Sequence, residues 1–167
     1  MGLFTKPIKS LDDLFVHTLE DIYYAENQIA STLPTMIEKA SNEELRDAFR
    51  HHLEETKGHV KRLERVFEMS HQSVRGVDCP AIDGIINEAK EVVGDCDDET
   101  VRDAAMLSAA QAVEHYEMTR YGTLIAFAKQ LGRNDCVSVL EETLVEEKAA
   151  DARLSGIASH NVNRKAA

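Results

Sequence analysis

Four long stretches of this chain carry apolar residues at the three- and four-residue spacing of an amphipathic helix. Ser10 and Ser41 precede two of these stretches, and each has an acidic residue three positions later, as in a capping box. No stretch alternates apolar and polar residues convincingly enough to predict a strand. We predict long helices over residues 11–39, 41–69, 100–132 and 135–160, and a shorter one over residues 81–93.

The number and order of these helices constrain the fold further. Glycine and proline are scarce, at 8 and 3 of 167 residues, so the chain has few of the turn residues that sheet-rich folds need. Four long helices, with a long connection and a short helix between the second and third, are typical of a four-helix bundle with one crossover. We therefore predict an all-α fold in which residues 1–167 form a single domain.

Charge and cysteine content exclude several classes of partner and site. The net charge is −11, and a surface that acidic repels phosphate backbones and anionic lipids, so we expect neither nucleic acid nor membrane as a partner. The three cysteines form no CxxC pair, which argues against a disulfide framework or a rubredoxin-type iron site. The run MGLFTKPIKSLDD has no apolar core of signal-peptide length, so we expect a cytoplasmic protein.

Acidic residues interrupt the apolar stripe near the middle of each long helix, and in the second helix a histidine does so as well. An ionised carboxylate buried alone in a core costs several kcal/mol or more, so such a pattern requires compensation. These residues are Glu26 in the first helix, Glu55 and His59 in the second, Glu114 and Glu117 in the third, and Glu147 and Asp151 in the fourth.

The positions of these residues along the helices suggest what compensates their buried charge. The glutamates of the four helices lie within about 5 Å of one another along the bundle axis, if the helices align their middles. Two divalent cations would neutralise four carboxylates in such a layer, and sites of carboxylate and imidazole suit iron or manganese. The alternative is that these are solvated surface residues on helices whose inward faces lie elsewhere.

Four runs of the sequence carry a family resemblance. The runs LEDIYYAENQIASTLP, AFRHHLEETKGHVKRLE, QAVEHYEMTRYGTL and EETLVEEKAADARL resemble the YciF-like family, a rubrerythrin-related branch of the ferritin-like superfamily. The resemblance covers about residues 9–165 and implies a ferritin-like bundle with a dinuclear carboxylate site. The run YAENQIA is similar to the part of the superfamily motif that supplies Glu26, and VEHYE is similar to the part that supplies Glu114 and Glu117.

The chain departs from the superfamily pattern on two helices. The superfamily places a Glu-x-x-His pair on the second and fourth helices. Here Thr56 occupies the glutamate position before His59, and Ala150 occupies the histidine position after Glu147, with Asp151 next to it. We therefore expect a site that is richer in carboxylate and poorer in imidazole.

The ligand assignments on the second helix leave one choice open. Glu55 is the candidate there to bridge two ions together with Glu147, and His59 lies one turn further along the helix. His52 lies three positions before Glu55 and remains the alternative imidazole ligand to His59.

The resemblance implies a stress-response protein that binds two iron or manganese ions and oxidises Fe(II) with oxygen or peroxide. We also expect a homodimer. The alternative from another class is a metal-poor helical bundle with a structural or partner-binding role. A rubrerythrin-like peroxide reductase is a further enzymatic alternative, but the chain lacks the CxxC pairs of the usual electron-delivery module.

Overall fold

The computed structural model describes residues 7–167, and this range contains helices and connections but no strand. The predicted all-α fold is therefore confirmed. Residues 1–6, which contribute to our expectation that the chain has no signal peptide, lie outside the described residues. The helices are α1 (Leu11–Lys39), α2 (Glu43–Met69), α3 (Pro80–Asp95), α4 (Glu99–Gln130), α5 (Asn134–Ile157) and, after a π-helical turn at Ala158–Val162, α6 (Asn163–Ala166).

The long helices form a bundle of two hairpins. Helix α1 packs against α2 and α4 packs against α5, while α2 also contacts α5 and α1 contacts α4. The connection between α2 and α4 carries α3, which packs on α4 and α1. The start of α2 lies beside the start of α4, because the Ser41 hydroxyl donates a hydrogen bond of 2.6 Å to Asp103. The predicted crossover with a short helix is thus confirmed.

The helix starts show which capping predictions were right. Ser10 caps α1, since its hydroxyl oxygen accepts a hydrogen bond of 3.0 Å from the backbone N–H of Asp13. Ser41 does not cap α2; the cap is Asn42, whose side chain accepts from the Leu45 N–H. Ser41 and Asn42 instead donate their backbone N–H groups to Asp103 of α4. A long-range contact with a buried carboxylate thus replaces the predicted local one.

Two further boundaries differ from the prediction. Helix α4 begins at Glu99 with Asp98 as its cap, one residue before the predicted start at Thr100. Helix α5 begins at Asn134, one residue before the predicted start at Asp135, and its regular part ends at Ile157, before the predicted end at His160.

Apolar residues lie on both sides of the polar layer in the bundle. In α1, for example, Ile22 and Ile29 are 0% and 4% exposed, and both flank the fully buried Glu26. The polar layer is therefore enclosed by hydrophobic core rather than placed at an end of the bundle. None of the helices in the described range combines the length and apolar character that a membrane span requires.

Candidate metal centre

Six buried side chains from four helices converge in the middle of the bundle. Five of them belong to the seven residues predicted from the sequence, and the sixth is His52, the alternative imidazole. None of the five predicted residues is more than 1% exposed, and His52 is 8% exposed. The six are Glu26, His52, His59, Glu114, Glu117 and Glu147.

The first group of candidate ligands contains one side chain from each long helix. Glu26, His59, Glu117 and Glu147 each offer one donor atom, and these four atoms lie within 4.8 Å of one another. The His59 Nδ1 atom is 3.0 Å from Glu147 Oε1 and 3.4 Å from Glu26 Oε1. Four donors this close together can hold one cation between them.

The second group lies beside the first and uses two of the same carboxylates. His52, Glu114, Glu117 and Glu147 again offer four atoms within 4.8 Å of one another. The His52 Nε2 atom is 3.5 Å from Glu114 Oε1 and 4.0 Å from Glu117 Oε2. Because a carboxylate has two oxygens, Glu117 and Glu147 can each contribute one oxygen to either group.

The buried atoms without a hydrogen-bond partner concentrate at these two groups. In well-packed proteins most buried polar atoms are paired, so a cluster of unpaired ones needs an explanation. A pair of cations accounts for this cluster because it would neutralise the carboxylates and occupy their lone pairs, as well as those of the imidazoles. In the two groups the unpaired atoms are Glu26 Oε2, both ring nitrogens of His52, His59 Nδ1, Glu114 Oε2 and both oxygens of Glu117 and of Glu147.

The pKa values of the buried carboxyl groups in the absence of a cation also favour metal binding. Burial, with the nearby charge of Glu147, raises the pKa of Glu114 to about 10. Burial and the charges of Glu147 and Glu26 also raise the pKa of Glu117 well above its usual range. Burial raises the pKa of Glu147 as well. Glu114 would therefore take up a proton at neutral pH unless a cation replaced it, and the raised pKa values of Glu117 and Glu147 favour the same exchange.

His52 stays neutral in this environment. Burial, together with the neighbouring His59, lowers the pKa of His52 to about 3. A neutral imidazole has a free lone pair on one nitrogen, which is the state in which histidine binds metals.

His59 is oriented by residues outside the two groups. Its Nε2–H donates a hydrogen bond of 2.9 Å to Glu146 Oε2. Arg62 holds that carboxylate with two hydrogen bonds of 2.6 and 2.7 Å. Burial lowers the pKa of His59, but the contacts with Glu147 and Glu26 outweigh it and raise the pKa to about 11. The proton on Nδ1 is therefore the one that a cation would displace, while Nε2 keeps its hydrogen bond.

Tyr121 orients a second ligand in the same way. Its side chain is fully buried, and its hydroxyl donates a hydrogen bond to Glu26 Oε1. Burial, with the charge of Glu26, raises the pKa of Tyr121 well above its usual value, so the hydroxyl keeps its proton. Glu26 Oε2 is left free to bind an ion.

The structure does not bring Glu55 and Asp151 into either group. Glu55 is 2.8 Å from His51 through its Oε2 atom, and its side chain is 19% exposed. Asp151 accepts a hydrogen bond of 3.1 Å from Gln111 and lies 3.4 Å from His115.

Glu55 lies outside the two groups because it is not on the inward face of α2. Thr56 is fully buried on the inward face of α2, and Glu55, one residue before it, is turned about 100° away. His52 and His59 are seven residues apart, which is about two turns, so both lie on the inward face. That spacing was the signal in the sequence for including both imidazoles.

The donor types of the converged set match the superfamily pattern, although the positions differ. A ferritin-like dinuclear site uses four glutamates and two histidines. Here Thr56 and Ala150 remove one glutamate and one histidine from the expected positions. Glu117 and His52 bring a carboxylate and an imidazole into the converging set. The converging side chains thus include two imidazoles, whereas we expected a site poorer in imidazole.

Comparison with known proteins gives consistent matches over almost the whole chain. Residues 10–167 match the family described as Domain of unknown function (DUF892). Protein YciF of Escherichia coli (strain K12) is 45% identical over 160 residues, which cover 95% of this chain and 96% of that protein.

Two solved structures have the same fold. YcfI of Rhodopseudomonas palustris, for which a structural role has been suggested, superposes with a TM-score of 0.89 at 52% identity, covering 92% of this chain and 98% of that one. The E. coli stress protein YciF superposes with a TM-score of 0.89 at 44% identity, covering 93% and 99%. The resemblance drawn from the four sequence runs is therefore confirmed, and this chain belongs to the YciF-like DUF892 family, whose members fold as ferritin-like helical bundles.

Proposed function

We propose that this chain binds two divalent metal ions, iron or manganese, in the bundle core and oxidises Fe(II) with oxygen or peroxide in stress protection. The observation that carries the proposal is the pair of four-residue groups that share Glu117 and Glu147. Two adjacent positions with shared carboxylates are what a dinuclear centre needs, and a single cation would leave part of the set unpaired.

The donor types favour these metals. Carboxylate oxygens with one imidazole per position suit iron and manganese, whereas the absence of thiolate from the groups argues against copper(I). In this proposal Glu117 takes the bridging role that we had expected for Glu55, and Glu147 keeps its own. Glu26 and His59 would complete one position, and His52 and Glu114 the other.

The protein residues would hold, orient and insulate the ions. When bound, the two Fe(II) ions supply one electron each to the oxidant. The fully buried Glu117 and Glu147 keep their charge close to the ions without competing water. Arg62 and Glu146 keep the Nδ1 atom of His59 directed to the first position.

A second proposal from another class is a structural or partner-binding role. The suggested structural role of YcfI from R. palustris supports it. The unpaired buried atoms argue against it, because a core layer of carboxylates that repel one another would destabilise a purely structural bundle. In either case we propose a cytoplasmic homodimer.

The oxidation of Fe(II) tests the proposal. Metal-free protein is loaded anaerobically with two Fe(II) per chain and mixed with oxygen or peroxide, and ferric absorbance is followed against free iron. We expect faster ferric formation with the protein, loss of the acceleration in Glu147→Ala, and no change in Glu88→Ala, which alters an exposed residue of α3. Equal rates with and without the protein would refute the oxidase proposal.

A further inference from the structure

An apolar cavity adjoins the second group of candidate ligands. Its volume is about 60 Å³, and His52 and Glu114 form part of its wall. The other walls come from all five of the helices α1 to α5. A site for one water needs about 10–15 Å³ on this scale, so the cavity has room for a small molecule beside the candidate metal centre.

The cavity walls offer almost no hydrogen-bonding groups. Apart from His52 and Glu114, the polar side chains that line it are Thr32 and Arg153. The Thr32 hydroxyl already donates a hydrogen bond of 2.8 Å to the Gln28 carbonyl. The remaining lining residues are aliphatic or aromatic, among them Ile29, Phe49, Ile86, Ala110, Val113 and Leu154.

One side of the cavity meets the protein surface. Ala48 and Arg153 line both the cavity and an open groove between the start of α2 and the end of α5. Arg153 is exposed there.

The chemistry of the walls selects the class of molecule that can occupy the cavity. A divalent cation would lose its hydration shell against apolar walls, at a cost of many kcal/mol. Hydrogen peroxide would lose most of its hydrogen bonds for the same reason. Dioxygen has neither charge nor hydrogen bonds to lose, and dry apolar cavities take up such uncharged molecules readily.

We propose that this cavity binds dioxygen and delivers it to the position formed by His52 and Glu114. The role of the cavity in delivering dioxygen rests on the proposed function, whereas the ability of the cavity to bind an apolar gas does not. In the reaction that follows delivery, two Fe(II) ions would lose one electron each, and dioxygen would take up the two electrons and two protons to give hydrogen peroxide.

Xenon is a direct probe of the cavity because it is apolar and readily located. We expect xenon-pressurised crystals of the protein to show xenon beside Val113, and crystals of Ala110→Leu to show none. Ala112→Leu makes the same change on the exposed face of α4 and should keep the xenon site. Ala89→Leu fills the cavity from α3 and serves if Ala110→Leu does not fold. An empty cavity in the unaltered protein would overturn the proposal.

Oxidation kinetics then test delivery. In Ala110→Leu we expect the dioxygen-driven rate to fall at least about tenfold, which corresponds to a barrier higher by about 1.4 kcal/mol. The number of bound Fe(II) ions and the peroxide-driven rate should match those of Ala112→Leu. An unchanged dioxygen rate, or an equal loss with both oxidants, would overturn the assignment of the cavity to dioxygen. A chain that binds no Fe(II) would refute the proposed function, and the xenon experiment would still decide what the cavity binds.

Discussion

His59 shows at the residue scale how neighbours outside a site fix a ligand within it. The carboxylate of Glu146 accepts from Nε2 and is itself held by Arg62. Once a cation has displaced the second proton, this acceptor keeps the remaining one on Nε2 and leaves Nδ1, the atom that faces Glu26 and Glu147, free to bind. Partners of this kind set the tautomer and the basicity of a metal-binding histidine.

We predict that Glu146→Ala weakens metal binding about 10- to 100-fold, as measured by anaerobic titration with Fe(II). Glu142→Ala is the matched control, because it removes an exposed carboxylate 3.4 Å from the same Arg62 and leaves Glu146 in place. Equal affinities in the two variants would show that Glu146 does not position His59.

A second prediction concerns the number of ions bound per chain when a carboxylate shared by the two groups is removed. Glu117→Ala should lose both ions, because Glu117 belongs to both groups, whereas Glu26→Ala should lose only one. Elemental analysis after loading and gel filtration measures the difference. Retention of two ions by Glu117→Ala would rule out the shared position that we assign to it.

The two predicted ligands outside the groups need their own test. We expect Glu55→Ala and Asp151→Ala to keep two ions per chain, because neither side chain reaches the other donors. Loss of an ion in either variant would restore the role that the sequence first indicated for that residue.

These residues also show how far sequence reasoning reaches at this scale. Apolar spacing indicated the inward face correctly for Glu26, Glu114 and Glu147, which lie between buried apolar neighbours. It placed Glu55 in the polar layer and left His52 as an alternative to His59, because a shift of one residue turns a helix by about 100° and the spacing alone does not fix the phase of α2 that closely. Only the packing of α2 against α5 resolves such a choice.

At the element scale, Asp103 joins the two halves of the bundle. This carboxylate is 2% exposed and accepts hydrogen bonds from the backbone N–H groups of Ser41 and Asn42 and from the Ser41 hydroxyl. It thereby satisfies donors at the start of α2 that the helix itself cannot satisfy.

We predict that Asp103→Ala lowers the free energy of unfolding by about 2–4 kcal/mol, because it leaves buried donors unpaired. Asp103→Asn, which keeps one acceptor oxygen, should lose less. Urea denaturation measures both changes, with Asp97→Ala as a control at an exposed position before α4. A loss no larger than that of the control would refute the role of Asp103.

The same contact explains why the extent of α2 was predictable while its cap was not. The bounds of α1 and the end of α2 follow from apolar spacing, which is a local property of the chain. The cap at Ser41 depends on a residue 62 positions away, and a local capping pattern contains no information about it.

At the scale of the whole molecule, the buried carboxyl groups link stability to pH. The folded-state pKa of Glu114 is raised to about 10, whereas an unfolded glutamate has a pKa of about 4.3. Glu117 and Glu147 are raised as well. Folding then favours the protonated form, so stability is fully present below the unfolded pKa and is lost as the pH rises toward the folded value.

We therefore predict that the melting temperature of the metal-free protein falls between pH 5.5 and pH 8.5, both values lying inside the window of about 4.3 to about 10. Bound cations replace the protons, so the metal-loaded protein should show a smaller fall over the same range. Glu114→Gln should also reduce the fall, because the amide does not titrate. Identical pH profiles with and without metal would contradict this account of the buried layer.

The central claim is that the polar layer of the bundle is a dinuclear metal centre, and the metal content of the intact protein tests it most directly. After anaerobic loading with Fe(II) and removal of free metal, we predict two ions per chain by elemental analysis. We also predict a melting temperature above that of the metal-free protein, because ions that bind only the native state stabilise it. A metal content near zero, with no change in melting temperature, would contradict the claim and favour the structural alternative.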